Sequence, residues 1–425
     1  MTKLLIRGGR PLRGSVLVGG RKNAVLPLIA ATLLAEGTTR LENVPRIHDV
    51  HLLREMLVGL GARADWDLTN GRMTVGAGSL TATEVPPQLA GAMRASYYLL
   101  GVLLARFGRA DVPLPGGDQI GKRPVDQHLK GLAALGAEVW IDRNMMRARS
   151  GRLRGAEIRF DMVSVGATIH VMMAATLASG TTVLHNCARE PHVADVATYL
   201  NACGARIYGA GTETILIEGV PALNGAVHRT IPDDIEAGTW MIAAAITGGD
   251  VTVDGVLPEH VAPITAKLRE AGAQVLEGVS SLRVFSTGHL QAVDLRTEPY
   301  PGFPTDAQSQ FTALMTLATG QSRVTETLYT DRFRFAGELA TMGAKIQVDG
   351  QTALVSGVDK LQGAPVVATD IRAGAALVLA GLAAEGETTL YGLDHIERGY
   401  EWFEQKLLSL GAEVGAIDRQ ETAVG

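Results

Sequence analysis

Leu60-Gly61-Ala62, Leu135-Gly136-Ala137, Cys203-Gly204-Ala205, Ala271-Gly272-Ala273, Met342-Gly343-Ala344 and Leu410-Gly411-Ala412 each close an apolar helical run ahead of a β-branched stretch. Their glycines are 75, 68, 68, 71 and 68 residues apart. A second mark runs in parallel: an Ala/Leu-rich run ending in glycine before a Thr/Val-rich strand, at Gly37, Gly108, Gly180, Gly248, Gly320 and Gly386. Two marks with one period mean one α/β unit repeated six times, at a period too long for ankyrin or TPR-type stacking. A glycine after an apolar helix ends it in the left-handed conformation without a Cβ penalty. The alternation that follows, as in Ala344-Lys345-Ile346-Gln347-Val348, has the period of a strand. Each repeat is therefore expected to hold two helices, each ended by glycine and followed by a strand.

A chain of 425 residues is too long for one ordinary core. The repeats divide it into a domain over residues 22–229 and a second over residues 1–21 plus 230–425, three repeats in each. The stretch from Leu4 to Val18 reads as a strand hairpin with its turn at Arg13-Gly14. Joining the ends of six equal units favours its pairing with the C-terminal half. The cleft between two lobes is the default place for a ligand. Hydrophobic residues make up 46% and charged residues 20%, the balance of a soluble globular protein. A net charge of −5 argues against a bulk nucleic-acid binder, which needs a basic face. The N-terminus has no long apolar stretch, so neither a secretory signal nor a membrane span is expected and the location reads as cytoplasmic. Cys187 and Cys203 allow at most one bridge.

The strongest chemical segment runs from Pro115 to Asp126. Three glycines, the adjacent cations Lys122 and Arg123, and the carboxylate of Asp118 share one expected loop. Glycines let backbone approach a ligand closely, and Lys and Arg offer charge to phosphate. The plain alternative is a solvated turn in which Asp118 bonds its own backbone. Gly19-Gly20-Arg21-Lys22-Asn23 places Lys22 and Asn23 at the start of an apolar helix, an anion-favouring position; an exposed first-turn lysine is the commoner case. Ser164, in Val163-Ser164-Val165-Gly166, also stands at a helix start, where ordinary capping is the simpler explanation. Thr305 or Asp306, after Phe303-Pro304, reads as a helix cap. Arg94, Arg332, Arg372 and Arg398 fall near element ends, and together point to a highly anionic ligand. No His/Cys pattern has metal-ligand spacing, and neither a Walker-type phosphate loop nor a Gly-x-Ser-x-Gly elbow is present.

These segments, with Met93-Arg94-Ala95-Ser96, Ala188-Arg189-Glu190-Pro191, Ala368-Thr369-Asp370 and His395-Ile396-Glu397-Arg398-Gly399-Tyr400, resemble the enolpyruvyl transferases over about Leu4 to Val414. Within that family they look most like the branch acting on UDP-N-acetylglucosamine. The resemblance implies an inside-out α/β barrel pair of six repeats, with the active site in the interdomain cleft. It implies enolpyruvyl transfer from phosphoenolpyruvate to the sugar 3-hydroxyl, with loss of phosphate and no cofactor. It further implies that Lys22, Asn23, Arg123 and Arg398 hold phosphoenolpyruvate. Arg94, Arg123, Pro124, Val125, Asp126, Gln127, Ser164, Val165, Gly166 and Leu328 would take the UDP-sugar. Asp306 would accept the sugar hydroxyl proton, and Arg332, Asp370 and Arg372 would shape the closed cleft.

Three positions depart from the family pattern. Asp118 stands where cysteine is usual as the proton donor to C3, which implies insensitivity to fosfomycin. Met162 stands where many relatives carry lysine, and Thr330 where an acidic residue is common. The sister reaction on shikimate 3-phosphate, a weakly active binding paralogue and a six-unit DNA clamp are the competing readings. The nucleotide-sugar loop, the retained Lys22, Arg123, Asp306 and Arg398, and the placing of cations in loops rather than along helix faces weigh against them in turn.

Overall fold

The computed structural model describes residues 3–91, 93–117, 125–287 and 289–417. The chain forms two compact units. One joins the residues up to Gly19 with those from Pro232 onward; the other is drawn from Gly20–Gly117 and the residues up to Ile231.

In the Gly20 to Ile231 unit, the helices Lys22–Ala31, Tyr98–Phe107 and Val165–Ala175 pack on one another. Every residue from Ala167 to Ala175 is buried. The other unit repeats the arrangement with Asp234–Ile246, Thr305–Met315 and Ile371–Ala383, and every residue of Asp234–Ile246 is buried. A helix apolar on all sides belongs inside a core. The strands instead alternate, as in Thr214–Glu218, so each sheet gives one face to the helices and the other to water. Each unit is thus an α/β body with helices inside and sheets outside.

One repeat shows the sheet plan. Thr181–His185, Thr214–Glu218 and Arg206–Tyr208 lie side by side in that order, each antiparallel to the next, and Glu157–Arg159 adds in parallel at the edge. Val227–Arg229, from the end of this unit, pairs in parallel with Thr38–Glu42 near its start, Val227 opposite Arg40. That pairing joins the third repeat to the first.

The glycine marks behave as their chemistry requires. The first set all have positive φ, between 86° and 101°, and the second set between 62° and 113°. Other glycines serve close approach instead. A Cβ on Gly357 would lie 1.7 Å from the backbone oxygen of Ala318, whereas one on Gly343, at φ +94°, would meet nothing within 4 Å. Gly343→Ala should therefore cost only its left-handed strain, about 1 to 2 kcal/mol. Gly357→Ala must push two backbones apart and should cost about 3 kcal/mol. Urea midpoints of the two variants test this, and equal shifts would contradict the clash argument.

The N-terminal stretch corrects one expectation. Lys3–Arg7 and Arg13–Leu17 are both strands, but they do not form a hairpin, and Arg13-Gly14 lies within a strand. Lys3–Arg7 inserts antiparallel between Glu387–Tyr391 and Glu413–Ile417. Arg13–Leu17 runs parallel to Asp250–Asp254 in another sheet. The segment between them is spent on crossing: Gly8 N–H donates to Gly386 O, and Asp250 N–H to Leu12 O. Pairing with the C-terminal half holds, through two sheets of that half.

Candidate active site

The helix Lys22–Ala31 begins at Lys22, and Asn23 is its one residue that is not buried. Lys22 Nζ lies 2.8 Å from Asp49 Oδ2, with side chains 9% and 4% exposed. Asp49 sits in the first turn of His48–Gly59, where a carboxylate suits the positive helix end. Removing one partner of a buried pair leaves the other charge uncompensated. Asp49→Asn should cost about 3 kcal/mol of stability, read as a lower urea midpoint. An unchanged midpoint would show that Lys22 does not depend on Asp49.

Two further helix starts meet in this unit. Ser164 is the cap of Val165–Ala175, and its hydroxyl accepts from Ala167 N–H at 3.3 Å. A Cβ on Gly166 would fall 2.4 Å from the Tyr97 hydroxyl oxygen and 3.1 Å from His128 Cε1. Only a glycine lets this helix start sit so close to the turn Arg94–Tyr97 that leads into Tyr98–Phe107. The Arg94 guanidinium lies over the Tyr97 ring, 5.7 Å from its centroid. Val125 caps the helix Asp126–Ala134. Gln127 is buried and clasps Asp161: its Nε2 donates to Asp161 Oδ2 at 2.9 Å, and its Oε1 accepts from Asp161 N–H at 2.9 Å. Arg94, Val125 to Gln127 and Ser164 to Gly166 therefore belong to one neighbourhood of backbone N–H groups and one guanidinium.

The other unit gathers a charged cluster at its own helix starts. The cap of Thr305–Met315 is Pro304, not Thr305 or Asp306. A proline has no hydrogen-bonding side chain, so the Asp306 carboxylate stays available to others. Its Oδ1 accepts from Arg332 Nη2 at 2.8 Å and its Oδ2 from Arg372 Nη2 at 3.2 Å. Both arginines are buried, while the Asp306 side chain keeps a quarter of its surface open. Burial works against the Arg372 charge, but Asp306 and Tyr400 more than offset it, and the guanidinium is held above its ordinary range. The Tyr400 hydroxyl also meets Thr239 at 2.9 Å and Gln310 Nε2 at 3.2 Å, so the three buried helices converge on it. Asp370 is a cap: its Oδ1 accepts from Arg372 and Ala373 N–H at 2.9 and 3.1 Å.

The EPSP synthase (3-phosphoshikimate 1-carboxyvinyltransferase) family model matches residues 6–407. The chain belongs to the enolpyruvyl transferase family. It is 64% identical to UDP-N-acetylglucosamine 1-carboxyvinyltransferase 3 of Symbiobacterium thermophilum, with all of both chains covered. It is 51% identical to the protein of the same name from Caldanaerobacter subterraneus subsp. tengcongensis, covering 97% of this chain and 99% of that one. The enolpyruvyl transferase NikO from Streptomyces tendae superposes with a TM-score of 0.89 at 28% identity, over 98% of this chain and 99% of that one. The EPSP synthase of Acinetobacter baumannii shares the fold, with a TM-score of 0.73 at 21% identity over 98% and 100% of the two chains.

In this enolpyruvyl transferase the remaining expected site residues of the Asp306 unit lie on short turns and helix ends. Arg398 ends the short helix Leu393–Glu397, two residues before Tyr400, and is half-buried. Leu328 is exposed, and its N–H donates to Glu326 Oε1 at 2.8 Å. Glu326 also accepts from the Thr305 hydroxyl at 2.9 Å, which ties the Leu328 turn to the start of the Asp306 helix. Met162 and Thr330 are exposed. Asp118, Arg123 and Pro124 lie outside the described residues. Among the described residues, no helix is long and apolar enough to cross a membrane. Sequence reasoning assigned no role to Asp49, Glu326, Tyr400 or His128, although Tyr400 closes the His395 to Tyr400 segment and His128 directly follows Asp126-Gln127.

Proposed function

We infer that the protein transfers the enolpyruvyl group of phosphoenolpyruvate to the 3-hydroxyl of UDP-N-acetylglucosamine and releases phosphate, the first committed step of peptidoglycan synthesis. The observation that carries this reading is 64% identity across the whole chain to a transferase named for that reaction.

The chemistry is an addition followed by an elimination. The sugar 3-oxygen bonds to C2 of phosphoenolpyruvate as its proton passes to the Asp306 carboxylate, and C3 takes a proton from the Asp118 carboxyl group. Loss of a C3 proton then restores the double bond as the C2–oxygen bond to phosphate breaks. Two guanidinium groups favour the ionised form of the Asp306 carboxylate, the form that can accept a proton, and a quarter of its side chain stays open to a substrate. Once Asp306 is protonated, Arg332 and Arg372 keep their charge close to an anionic substrate. Lys22, Asn23, Arg123 and Arg398 take the phosphate and carboxylate of phosphoenolpyruvate. Arg94, the Arg123 to Gln127 stretch, Ser164 to Gly166 and Leu328 take the nucleotide sugar; positive helix ends and backbone N–H groups suit its diphosphate. Arg332, Asp370 and Arg372 fix the shape around Asp306.

Shikimate 3-phosphate is the second reading, favoured by the description of the matching family model. Phosphate release from phosphoenolpyruvate, measured with each acceptor in turn, separates the two. Release that depends on UDP-N-acetylglucosamine supports the first reading. Release only with shikimate 3-phosphate would move the assignment to the sister activity.

A further inference from the structure

Beside the Ser164 to Gly166 helix start lie two buried imidazoles that the reaction scheme does not use. His128, in the first turn of Asp126–Ala134, and His170, within Val165–Ala175, are 4% and 0% exposed. Their Nδ1 atoms are 3.1 Å apart. A third group fixes the direction of that hydrogen bond: the backbone N–H of Gly101, in the first turn of Tyr98–Phe107, donates to His170 Nε2 at 2.7 Å. A ring nitrogen that accepts carries no proton, so neutral His170 is protonated on Nδ1. That Nδ1–H must donate to His128 Nδ1, which leaves the His128 proton on Nε2. The contact is built for glycine, because a Cβ at 101 would lie 2.5 Å from His170 Nε2. Burial keeps both rings neutral. It lowers His170 to about 3 and holds His128 well below its ordinary value, with the Arg94 guanidinium acting in the same direction.

We propose that His170 is a positioning residue: held by Gly101, it locks His128 in the Nε2–H tautomer and so makes it a neutral hydrogen-bond donor beside the Gly166 helix start. The group it serves is the anionic diphosphate of the nucleotide sugar, and this part rests on the functional reading above. The location fits. His128 Cε1 faces Gly166, and the Tyr97 ring stands edge-on to the imidazole at 4.3 Å and carries Arg94 over it. The His170 hydrogen bond occupies His128 Nδ1, which leaves Nε2–H as the ring's one donor. Met162, just ahead of the helix cap, is 57% exposed and brings no charge of its own. A neutral donor whose proton cannot move to the other nitrogen is therefore worth having here.

Two measurements test this on the full chain. Two-bond nitrogen–proton correlation spectra of the wild type, labelled at histidine, should show His128 bare on Nδ1 and protonated on Nε2, with the reverse in His170. A His128 protonated on Nδ1, or exchanging between tautomers, would overturn the proposal, and this readout stands even if the protein fails to turn over UDP-N-acetylglucosamine. His170→Leu removes the lock and should raise KM for the nucleotide sugar about tenfold, with kcat and KM for phosphoenolpyruvate changing by less than about twofold. His170→Asn places an amide donor where Nδ1 stood and should recover most of the lost affinity. An unchanged nucleotide-sugar KM in His170→Leu, or a fall confined to kcat, would refute the role.

Discussion

Asp306→Asn is expected to lower kcat by about a hundred- to ten-thousand-fold, the usual worth of a positioned general base. The amide keeps the shape of the carboxylate but cannot take the sugar hydroxyl proton. Substrate affinity should change far less, because Arg332 and Arg372 remain in place. Asp306→Ala should lose the same activity and stability as well. It would take from two guanidinium groups, both under a tenth exposed, the carboxylate that they share. Breaking such a buried arrangement costs about 3 to 5 kcal/mol. Steady-state kinetics on Asn and urea unfolding on Ala therefore separate two jobs of one residue. An Asn variant with near wild-type kcat would remove Asp306 from the chemistry and leave it as a structural anchor.

The second large effect concerns residue 118. The wild-type protein is expected to be insensitive to fosfomycin, and Asp118→Cys to be inactivated by it in a time-dependent way. The drug alkylates a thiolate, a far stronger nucleophile than a carboxylate. The chain's two cysteines offer no substitute. Both are buried; burial pushes the Cys187 thiol up to about 12 and raises that of Cys203, so neither is a thiolate near neutral pH. An aspartate in this role needs its proton at the working pH, although free aspartic acid titrates near about 3.9. A bound phosphate dianion and the exclusion of water both raise a carboxyl group, so ligand binding is expected to supply the needed shift. Asp118→Asn, which cannot release a proton to C3, should lose about a hundredfold or more. Inactivation of the wild type by the drug, or full activity of Asp118→Asn, would contradict this account.

The repeat was legible because it is written in backbone chemistry. A glycine that ends a helix at positive φ is hard to replace, and each of the marked glycines holds that conformation. The path of the N-terminal strands was not legible. Alternation tells a strand that it has a buried face but not which sheet supplies it, and Lys3–Arg7 and Arg13–Leu17 found two different sheets. In the site, Lys22 and Ser164 could be placed at helix starts because starts have sequence signals. The cap before Asp306 was misplaced because Pro304 took the position that a polar residue usually holds. The partners were hidden for a common reason. Asp49, Tyr400 and His170 act across long sequence separations, through contacts set by the packing of helices around one another rather than by any local pattern.

The most direct test is to follow phosphoenolpyruvate labelled at C2 through a reaction with UDP-N-acetylglucosamine and to identify the labelled product by NMR. The label is expected in an enol ether on the sugar 3-oxygen, with one inorganic phosphate formed for each product molecule. Label that stays in phosphoenolpyruvate, or passes only to pyruvate, would contradict that expectation.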